Sequence, residues 1–282
     1  MALSIVIIWR SSRVINFAQA GLALFSTYVG YECVKVIGNY WIALPIAIIA
    51  GALIASMIEF LFMRFLAKLH INSPISAVAP IIVTLGLLGI IRASIAFIWG
   101  GQELRIAAPL SNIGYSIGDK TLVFSPMKLM ILISVVIVLV ILGIIFQRTN
   151  LGLALKASSF APEISKLSGL KVDLIRNIGW ALSGGVAALA GLLQTANGSG
   201  SISPEALEFA ILLVSGFIAA VIGGLESLIG AVFGGLLLGT LVSFALMYID
   251  GGLFFIAPLF ILILVLIVRP RGLFAPKAGR HA

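Results

Sequence analysis

Two residue patterns could carry catalytic or metal chemistry, and neither has the partners that this chemistry needs. Residues 114–118 read GYSIG, a spacing that can present a serine nucleophile on a sharp turn. Such a serine needs a histidine base beside it, yet the only histidines, His70 and His281, fall on the other side of the predicted membrane topology. Two histidines without nearby carboxylates do not make a zinc site. We interpret GYSIG as a chance match and expect neither a catalytic residue nor a bound metal.

Nucleotide and thiol chemistry are disfavoured in the same way. The sequence contains no GxxxxGK[ST] phosphate-binding loop, so we expect any ATP to be bound and hydrolysed by another subunit. The single cysteine, Cys33, excludes an intrachain disulfide and a thiolate metal cluster. We therefore expect a protein that is not itself an enzyme and that carries no cofactor.

The composition is that of an integral membrane protein. Hydrophobic residues make up 61% of the 282 residues and charged residues only 10%, whereas soluble domains carry about 25% charged residues. Apolar runs recur along the chain at lengths near the ~20 residues that a helix needs to cross the hydrocarbon core. We predict an all-α polytopic bundle of about eight transmembrane helices in a single domain, residues 1–282. The predicted spans are 17–37, 41–65, 75–98, 126–146, 177–196, 208–223, 228–249 and 253–268.

The first apolar run, residues 2–9, is too short to span the membrane. An eight-residue helix reaches roughly 12 Å, well under the ~30 Å hydrocarbon core. Either a segment upstream of Met1 completes this span, or the run only dips into the membrane. No basic residues precede the run, which disfavours a signal peptide.

The basic residues indicate how the bundle is oriented. If residues 147–176, which we call the polar segment, are cytoplasmic, most of the 18 lysines and arginines face the cytoplasm. Those residues are Arg10, Arg13, Arg64, Lys68, Arg148, Lys156, Lys166, Lys171, Arg176, Arg269, Arg271, Lys277 and Arg280. We therefore expect a cell inner-membrane protein with a cytoplasmic C-terminal tail, residues 269–282. The net charge of +8 then reflects loops beside anionic lipid and requires no nucleic acid.

The polar segment separates two strongly apolar spans and has a pattern of its own. Its apolar residues are Leu151, Leu153, Leu155, Ile164, Leu167 and Leu170, and they are interleaved with Lys156, Lys166 and Lys171. This pattern predicts short amphipathic helices with an apolar edge and a basic face. We expect such a segment to dock a partner.

Glycines recur between residues 223 and 239. They are Gly223, Gly224, Gly230, Gly234, Gly235 and Gly239, with GxxxG spacings at 230–234 and 235–239. Small residues at this spacing let helix backbones approach closely. The alternative is a broken or re-entrant segment around 223–230, whose loosened backbone lines a polar path.

Two ionisable residues lie within apolar runs, where an unpaired charge costs several kcal/mol. Glu59 is about one turn from Arg64, so we expect a paired or snorkelling structural role rather than a proton relay. Arg92 lies deeper and could pair with a carboxylate or face an aqueous cavity. The milder polar residues that could hydrogen-bond a solute are Asn16, Gln19 and Thr84.

Several motifs together carry a resemblance to a known family. They are RVINFAQ at 13–19, GLALKA at 152–157 with Gly169 downstream, the glycine stretch from 223 to 235, and RPRGLF at 269–274. In order and spacing they resemble the permease subunits of branched-chain amino-acid ABC transporters. The similarity extends over nearly the whole chain.

The resemblance implies a permease that moves branched-chain amino acids across the inner membrane. It implies a second, related permease subunit, two cytoplasmic ATP-binding subunits and an external solute-binding protein as partners. Coupling to the ATPase is then expected at Gly152, Ala154, Leu155, Lys156, Ala157, Glu163, Leu167 and Gly169. The translocation path is expected near Asn16, Phe17, Gln19, Thr84 and Arg92.

Departures from the family pattern leave other readings open. Glu208 stands where a lysine is frequent, and uncharged residues fill positions 240–243, where an acidic residue is usual. Urea or a short amide therefore stays open as the solute. A channel or an ion-coupled carrier is a further alternative, but it needs a chain of buried ionisable groups, for which only Glu59 and Arg92 qualify.

Overall fold

The computed structural model describes residues 1–68, 75–117, 120–121, 124–249, 256–270 and 272–274. Within them the chain is almost entirely helical. The helices are α1 (Ala2–Ser12), α2 (Gln19–Ile37), α3 (Tyr40–Ile58), a π-helical turn (Glu59–Met63), α4 (Arg64–Lys68), α5 (Ile75–Trp99), α6 (Pro126–Arg148), α7 (Asn150–Phe160), α8 (Pro162–Leu167), α9 (Val172–Asn197), α10 (Leu207–Gly223), α11 (Leu228–Tyr248) and α12 (Ile256–Val268). The strands are β1 (Leu104–Arg105), β2 (Ser116–Ile117), β3 (Lys120–Thr121) and β4 (Ser201–Ile202), paired β1 with β4 and β2 with β3, both antiparallel.

The predicted all-α membrane bundle is confirmed. Five helices among the described residues are long and apolar enough to cross a membrane. They are Tyr40–Leu66, Val78–Trp99, Pro126–Arg148, Val172–Asn197 and Leu228–Tyr248, which match five of the predicted spans.

The other three predicted spans are also helices, but they do not meet the same criteria. The 19-residue α2 is long enough, yet polar residues such as Gln19 and Glu32 lower its mean hydropathy. The 13 residues of α12 reach only about 20 Å, which is short of the hydrocarbon core. The predicted start of that span, at residue 253, lies outside the described residues.

The centre of the bundle is α9, which packs against α1, α2 and α3. Glycines bring these backbones together: a Cβ atom added at Gly51 of α3 would lie 2.7 Å from the Gly184 carbonyl oxygen of α9. Gly191 of α9 approaches α2 as closely, since an added Cβ would lie 2.7 Å from the carbonyl oxygen of Ala23. Helices in lipid associate through such close packing, because lipid tails are as apolar as the side chains.

The short first helix is buried inside the bundle. In α1, Val6 and Ile7 have no exposed surface, and the helix contacts α9, α10 and α11. It ends at Arg13, which has the left-handed backbone angle φ 56° and donates its N–H to the Trp9 carbonyl oxygen at 3.0 Å. The helix is therefore part of the core and not a peripheral segment.

The glycine stretch packs two regular helices face to face. An added Cβ at Gly223 would collide with the backbone of Gly230, and one at Gly234 would collide with the carbonyl oxygen of Ala219. The structure thus supports close packing of α10 on α11 through the first GxxxG spacing. The helix is interrupted at residues 224–227, inside the range of the predicted break, and the role of this segment in a polar path stays a prediction. In the second spacing, an added Cβ at Gly239 would meet no atom within 4 Å among the described residues, so no close helix contact forms there within the described part of the chain.

We expect Gly184→Ala to lower the free energy of unfolding by about 1–3 kcal/mol, because its methyl group would overlap the Gly51 backbone. The matched control is Gly86→Ala in α5, where an added Cβ meets nothing within 4 Å. That control should leave stability unchanged or raise it by up to ~1 kcal/mol, since alanine is the better helix former. Thermal unfolding in mild detergent measures both, and equal midpoints would contradict the packing account.

Candidate functional site

The polar segment folds into two short helices held by capping interactions. The Thr149 hydroxyl accepts the backbone N–H of Gly152 at 3.4 Å at the start of α7, and Pro162 opens α8. Gly169 ends α8 with φ +83°, and Leu170 N–H then reaches back to the Ser165 carbonyl oxygen at 3.0 Å. This is a glycine-ended helix C-terminus, which a residue with a Cβ would strain.

One face of α7 anchors the segment to the bundle. Gly152, Leu155 and Ser158 are buried at a spacing of three residues. A Cβ at Gly152 would lie 2.5 Å from the backbone oxygen of Phe146 in α6, and Leu155 packs against Gly179 of α9. Of the residues predicted to couple to a partner, Gly152 and Leu155 are therefore buried within the chain and do not reach its surface.

The opposite side of the segment is exposed and apolar. The exposed fractions are 70% for Leu153, 67% for Ile164 and 89% for Leu167. Lys156 and Lys166 are exposed beside them, as are the predicted residues Glu163 and Gly169, whereas Ala154 and Ala157 are half-buried. We call Leu153, Lys156, Ile164, Lys166 and Leu167 the outer surface of the segment. Exposed aliphatic side chains and lysine ammonium groups together suit a groove on a partner that is apolar and carries acidic residues.

A buried ionic cluster joins the end of the polar segment to the π-helical turn after α3. The Arg176 Nε donates to Glu59 Oε1 at 2.7 Å, and Asn177 Nδ2 donates to Glu59 Oε2 at 3.0 Å. Ser56 Oγ donates to Asn177 Oδ1 at 2.6 Å. Glu59 has no exposed surface, so these bonds compensate a charge that would otherwise be costly to bury.

The paired structural role expected for Glu59 agrees with this geometry, but the partner differs from the neighbour in sequence. Glu59 pairs with Arg176, 117 positions away, and not with Arg64. Arg64 instead lies 3.9 Å from Asp173, which is also 3.5 Å from Arg176. Sequence reasoning missed Arg176 as the partner. The available signal was that both residues lie near the same predicted membrane boundary.

Four of the five residues predicted to line a path lie together. Asn16 Nδ2 donates to Gln19 Oε1 at 3.0 Å, and Gln19 Nε2 donates to the carbonyl and hydroxyl oxygens of Ser183 at 3.1 and 2.9 Å. The backbone N–H of Phe17 donates to Thr84 Oγ1 at 3.3 Å. These bonds tie α2 to α5 and α9 and leave the amide groups little capacity to bind a solute. Their part in the path stays a prediction.

Arg92 is not part of that group. Its Nε is buried and has no hydrogen-bond partner among the described residues. It lies in α5, where Gly86 and Gly89 have open space beside them. A cation within an apolar helix is stabilised by a polar or anionic neighbour, and the Nε of Arg92 has none among the described residues.

One groove in the described structure is unsuited to a polar solute. It has a volume of about 950 Å³ and lies between α3, α6 and α9. Its walls are aliphatic, as at Ile48, Ile137 and Ala181, and the amide of Asn177 at its edge is already hydrogen-bonded to Ser56. Polar solutes need convergent hydrogen-bonding groups, and the described part of this chain does not assemble them here.

The structure gives no support to the possible catalytic pattern. Ser116 and Ile117 form β2, which pairs with β3, whereas a nucleophile of this type sits between a strand and a helix. Gly118, His70 and His281 lie outside the described residues. Among the residues that are described, no group of three or more histidines, cysteines or carboxylates could hold a metal.

We expect Glu59→Gln to lower the free energy of unfolding by about 3–5 kcal/mol, because it removes the buried carboxylate that pairs with the Arg176 guanidinium at 2.7 Å. Lys35→Gln is the matched control, since Lys35 pairs with Glu32 at 3.6 Å at an exposed position and such pairs contribute little. Thermal unfolding in detergent measures both variants. The account is contradicted if the two substitutions shift the midpoint equally.

Comparison with known proteins points to one family. The family model described as branched-chain amino acid transport system / permease component matches residues 1–268. The probable branched-chain amino acid transport permease protein LivH of Methanocaldococcus jannaschii is 28% identical over 97% of this chain and 87% of its own length. The high-affinity branched-chain amino acid transport system permease protein BraD of Pseudomonas aeruginosa is 24% identical over 97% and 90%.

A partial match extends to a permease for another solute. The fructose import permease protein FrcC of Rhizobium meliloti is 30% identical over 57% of this chain and 46% of its own length. No solved structure is a significant match. Because the family model covers nearly the whole chain, this protein belongs to the permease components of branched-chain amino acid transport systems.

Proposed function

We propose that the chain is the permease subunit of an ABC importer and forms the path of a small polar solute through the inner membrane. The observation that carries this proposal is the family match over residues 1–268. The sequence contains no phosphate-binding loop, so two separate ATP-binding subunits drive the step. A second permease and an external solute-binding protein complete the assembly.

The outer surface of the polar segment is the docking site for an ATP-binding subunit. Leu153, Ile164 and Leu167 are each about two-thirds or more exposed, and Lys156 and Lys166 lie exposed beside them. An amphipathic helix seated in a groove buries such residues and transmits movement of the groove to the helix. Gly152 and Leu155 would then hold α7 to the bundle while its other side follows the ATPase.

The solute path lies between two permease subunits. The described part of a single chain offers an apolar groove and a set of polar groups already bonded to one another. The Nε of Arg92 in α5 has no hydrogen-bond partner among the described residues, so Arg92 is the better candidate to meet the second permease or the solute. Asn16, Phe17, Gln19 and Thr84 would then position α2 and α5 along that path.

Branched-chain amino acids are the proposed solute, because LivH and BraD are named for them. Urea or a short amide is the second candidate. An ion-coupled carrier is disfavoured, because Glu59 is paired with Arg176 and Asn177 and is not free to relay protons. The polar segment and residues 272–274 lie at the same end of the bundle, so both would face the cytoplasm.

Affinity purification of the tagged chain from mild-detergent membranes tests the assembly. Mass spectrometry should identify P-loop ATPase subunits and a second permease, and reconstituted liposomes should take up labelled leucine only with ATP and the binding protein. Uptake of urea but not leucine would replace the solute and keep the importer. A chain that purifies alone and transports in response to a proton gradient would refute the proposal.

Replacing Leu153 and Leu167 by Asp should abolish co-purification of the ATPase while the permease stays in the membrane. Carboxylates would neither fill an apolar groove nor fit an acidic one. The control is Ile113→Asp, an equally bare residue, 77% exposed, in the loop before α6. Retention of the ATPase by the Leu153 and Leu167 variant, at the level of the control, would rule out this surface as the docking site.

A further inference from the structure

We propose that Arg13 and Glu226 are positioning residues that link α7 to the turn between α10 and α11, so that movement of the polar segment reaches the transmembrane helices. This inference rests on the proposed function, because it concerns how ATPase movement is transmitted. It adds a specific intramolecular connection to the docking surface described above.

Arg13 has a backbone conformation that calls for an explanation. Among the described residues it is the one non-glycine residue with a positive φ, 56°. An L-residue seldom adopts this conformation, and glycine would adopt it freely. An arginine at a position that favours glycine indicates that the contacts of its side chain compensate the free-energy cost of the strained backbone.

The side chain of Arg13 contacts two elements that are distant in sequence. Its Nη1 lies 2.6 Å from Glu226 Oε1, an ion pair across 213 positions. Its guanidinium lies 4.3 Å from the centre of the Phe160 ring. Arginine is suited to this arrangement, since its planar group stacks on a ring while its edge donates to a carboxylate.

The two contacts of the Arg13 side chain lie at the C-terminal end of α7 and in the turn between α10 and α11. Phe160 is the last residue of α7, on the segment that we propose as the docking site. Glu226 lies between Gly224 and Ser227 in the short turn that joins α10 to α11. The C-terminal residues also meet this turn, because Leu273 N–H donates to Ile222 O at 2.8 Å and Phe274 N–H donates to Gly223 O at 3.2 Å.

The chain after Arg13 leads directly into the core. Three residues later, Asn16 begins the hydrogen-bonded group that reaches Gln19 and Ser183. Ser183 Oγ in turn donates to the backbone oxygen of Ser4 in α1 at 2.8 Å. A displacement of Arg13 is therefore passed both to α10 and α11 through Glu226 and to α2 and α9 through the backbone.

The Glu59–Arg176 and Arg13–Glu226 ion pairs differ in a way that suits different roles. Glu59 is wholly buried, so its pair with Arg176 is expensive to open. The side chains of Arg13 and Glu226 are 29% and 39% exposed, and a pair in contact with water costs little to break or remake. The Arg13 pair can therefore change between access states while the Glu59 pair holds the scaffold.

A neighbouring arginine, Arg10, adds to the positive electrostatic potential at the Glu226 carboxylate. Arg10, one turn earlier in α1, lies over the Phe146 ring at 4.5 Å. Burial lowers the pKa of Arg10, and the carboxylate of Glu226 opposes that shift. Glu226 thus receives positive charge from Arg10 near the end of α1 and from Arg13 just after it, and Arg13 also contacts Phe160 of α7.

The decisive variant is Arg13→Gly, which removes the side chain and relieves the backbone. In liposomes containing the assembled transporter and binding protein, we expect uptake to fall by about tenfold or more while ATP hydrolysis continues, since allosteric coupling commonly carries 5–150-fold effects. Its thermal midpoint should equal or exceed that of the wild type. Glu226→Gln should give the same split, and Arg13→Lys should retain part of the uptake.

Lys35→Gln, at an exposed ion pair on the opposite end, is the control and should retain the wild-type ratio of solute to ATP. If Arg13→Gly transports with the wild-type ratio, the proposal is wrong. It is equally wrong if uptake, ATP hydrolysis and thermal midpoint fall together, because that result assigns Arg13 a merely structural role. If the wild-type transporter shows no ATP-dependent uptake, the proposed function itself is wrong, and the inference about Arg13 fails with it.

Discussion

The bundle depends on the close approach of α9 to its neighbours. In lipid the helices gain almost no hydrophobic free energy from one another, so association comes from packing and interhelical hydrogen bonds. Gly51 and Gly184 let α3 and α9 meet at backbone distance, and Gly191 does the same between α9 and α2. Once α9 is in place, its second turn carries Arg176 and Asn177 to Glu59.

The start of α9, through Arg176, is also the end of the polar segment, which joins the scaffold to the candidate functional surface. The segment is fastened inward by Leu155 and Gly152 and presents Leu153 and Leu167 outward. One side of the segment is fixed to the bundle and the other is free to bind a partner, so the segment can transmit movement of the partner to the bundle. The ion pair of Arg13 with Glu226 lies at the far end of α7, where displacement of the helix would be passed to α10 and α11.

The sequence was sufficient for the fold class and for most helix positions, because the apolar runs are long and are punctuated by charged loops. The predicted span 228–249 corresponds to α11 at Leu228–Tyr248. Burial within the polar segment could not be predicted: alternating leucines and lysines do not reveal that Leu155 faces the bundle while Leu153 faces outward. The packing face of a membrane helix is equally hidden, since lipid-facing and buried positions are both apolar.

Long-range polar partners were beyond sequence reasoning for a related reason. Glu59 had a plausible neighbour in Arg64, and only the crossing of α3 by α9 shows that Arg176 is closer. The small-residue pattern of α9, Gly184-x-x-x-Ala188, was visible and is the signal that would have identified the central helix. The positive φ of Arg13 has no sequence signature, because arginine rarely adopts it.

Site-specific crosslinking tests the central claim most directly, namely that the outer surface of the polar segment meets the ATP-binding subunit. A photoreactive amino acid at position 167 would be activated in membranes of cells that contain the whole assembly, with the same residue at position 113 as the reference. We predict a crosslink from position 167 to a P-loop ATPase whose yield changes with bound nucleotide, and none from position 113. A crosslink from position 167 to lipid alone would contradict the account.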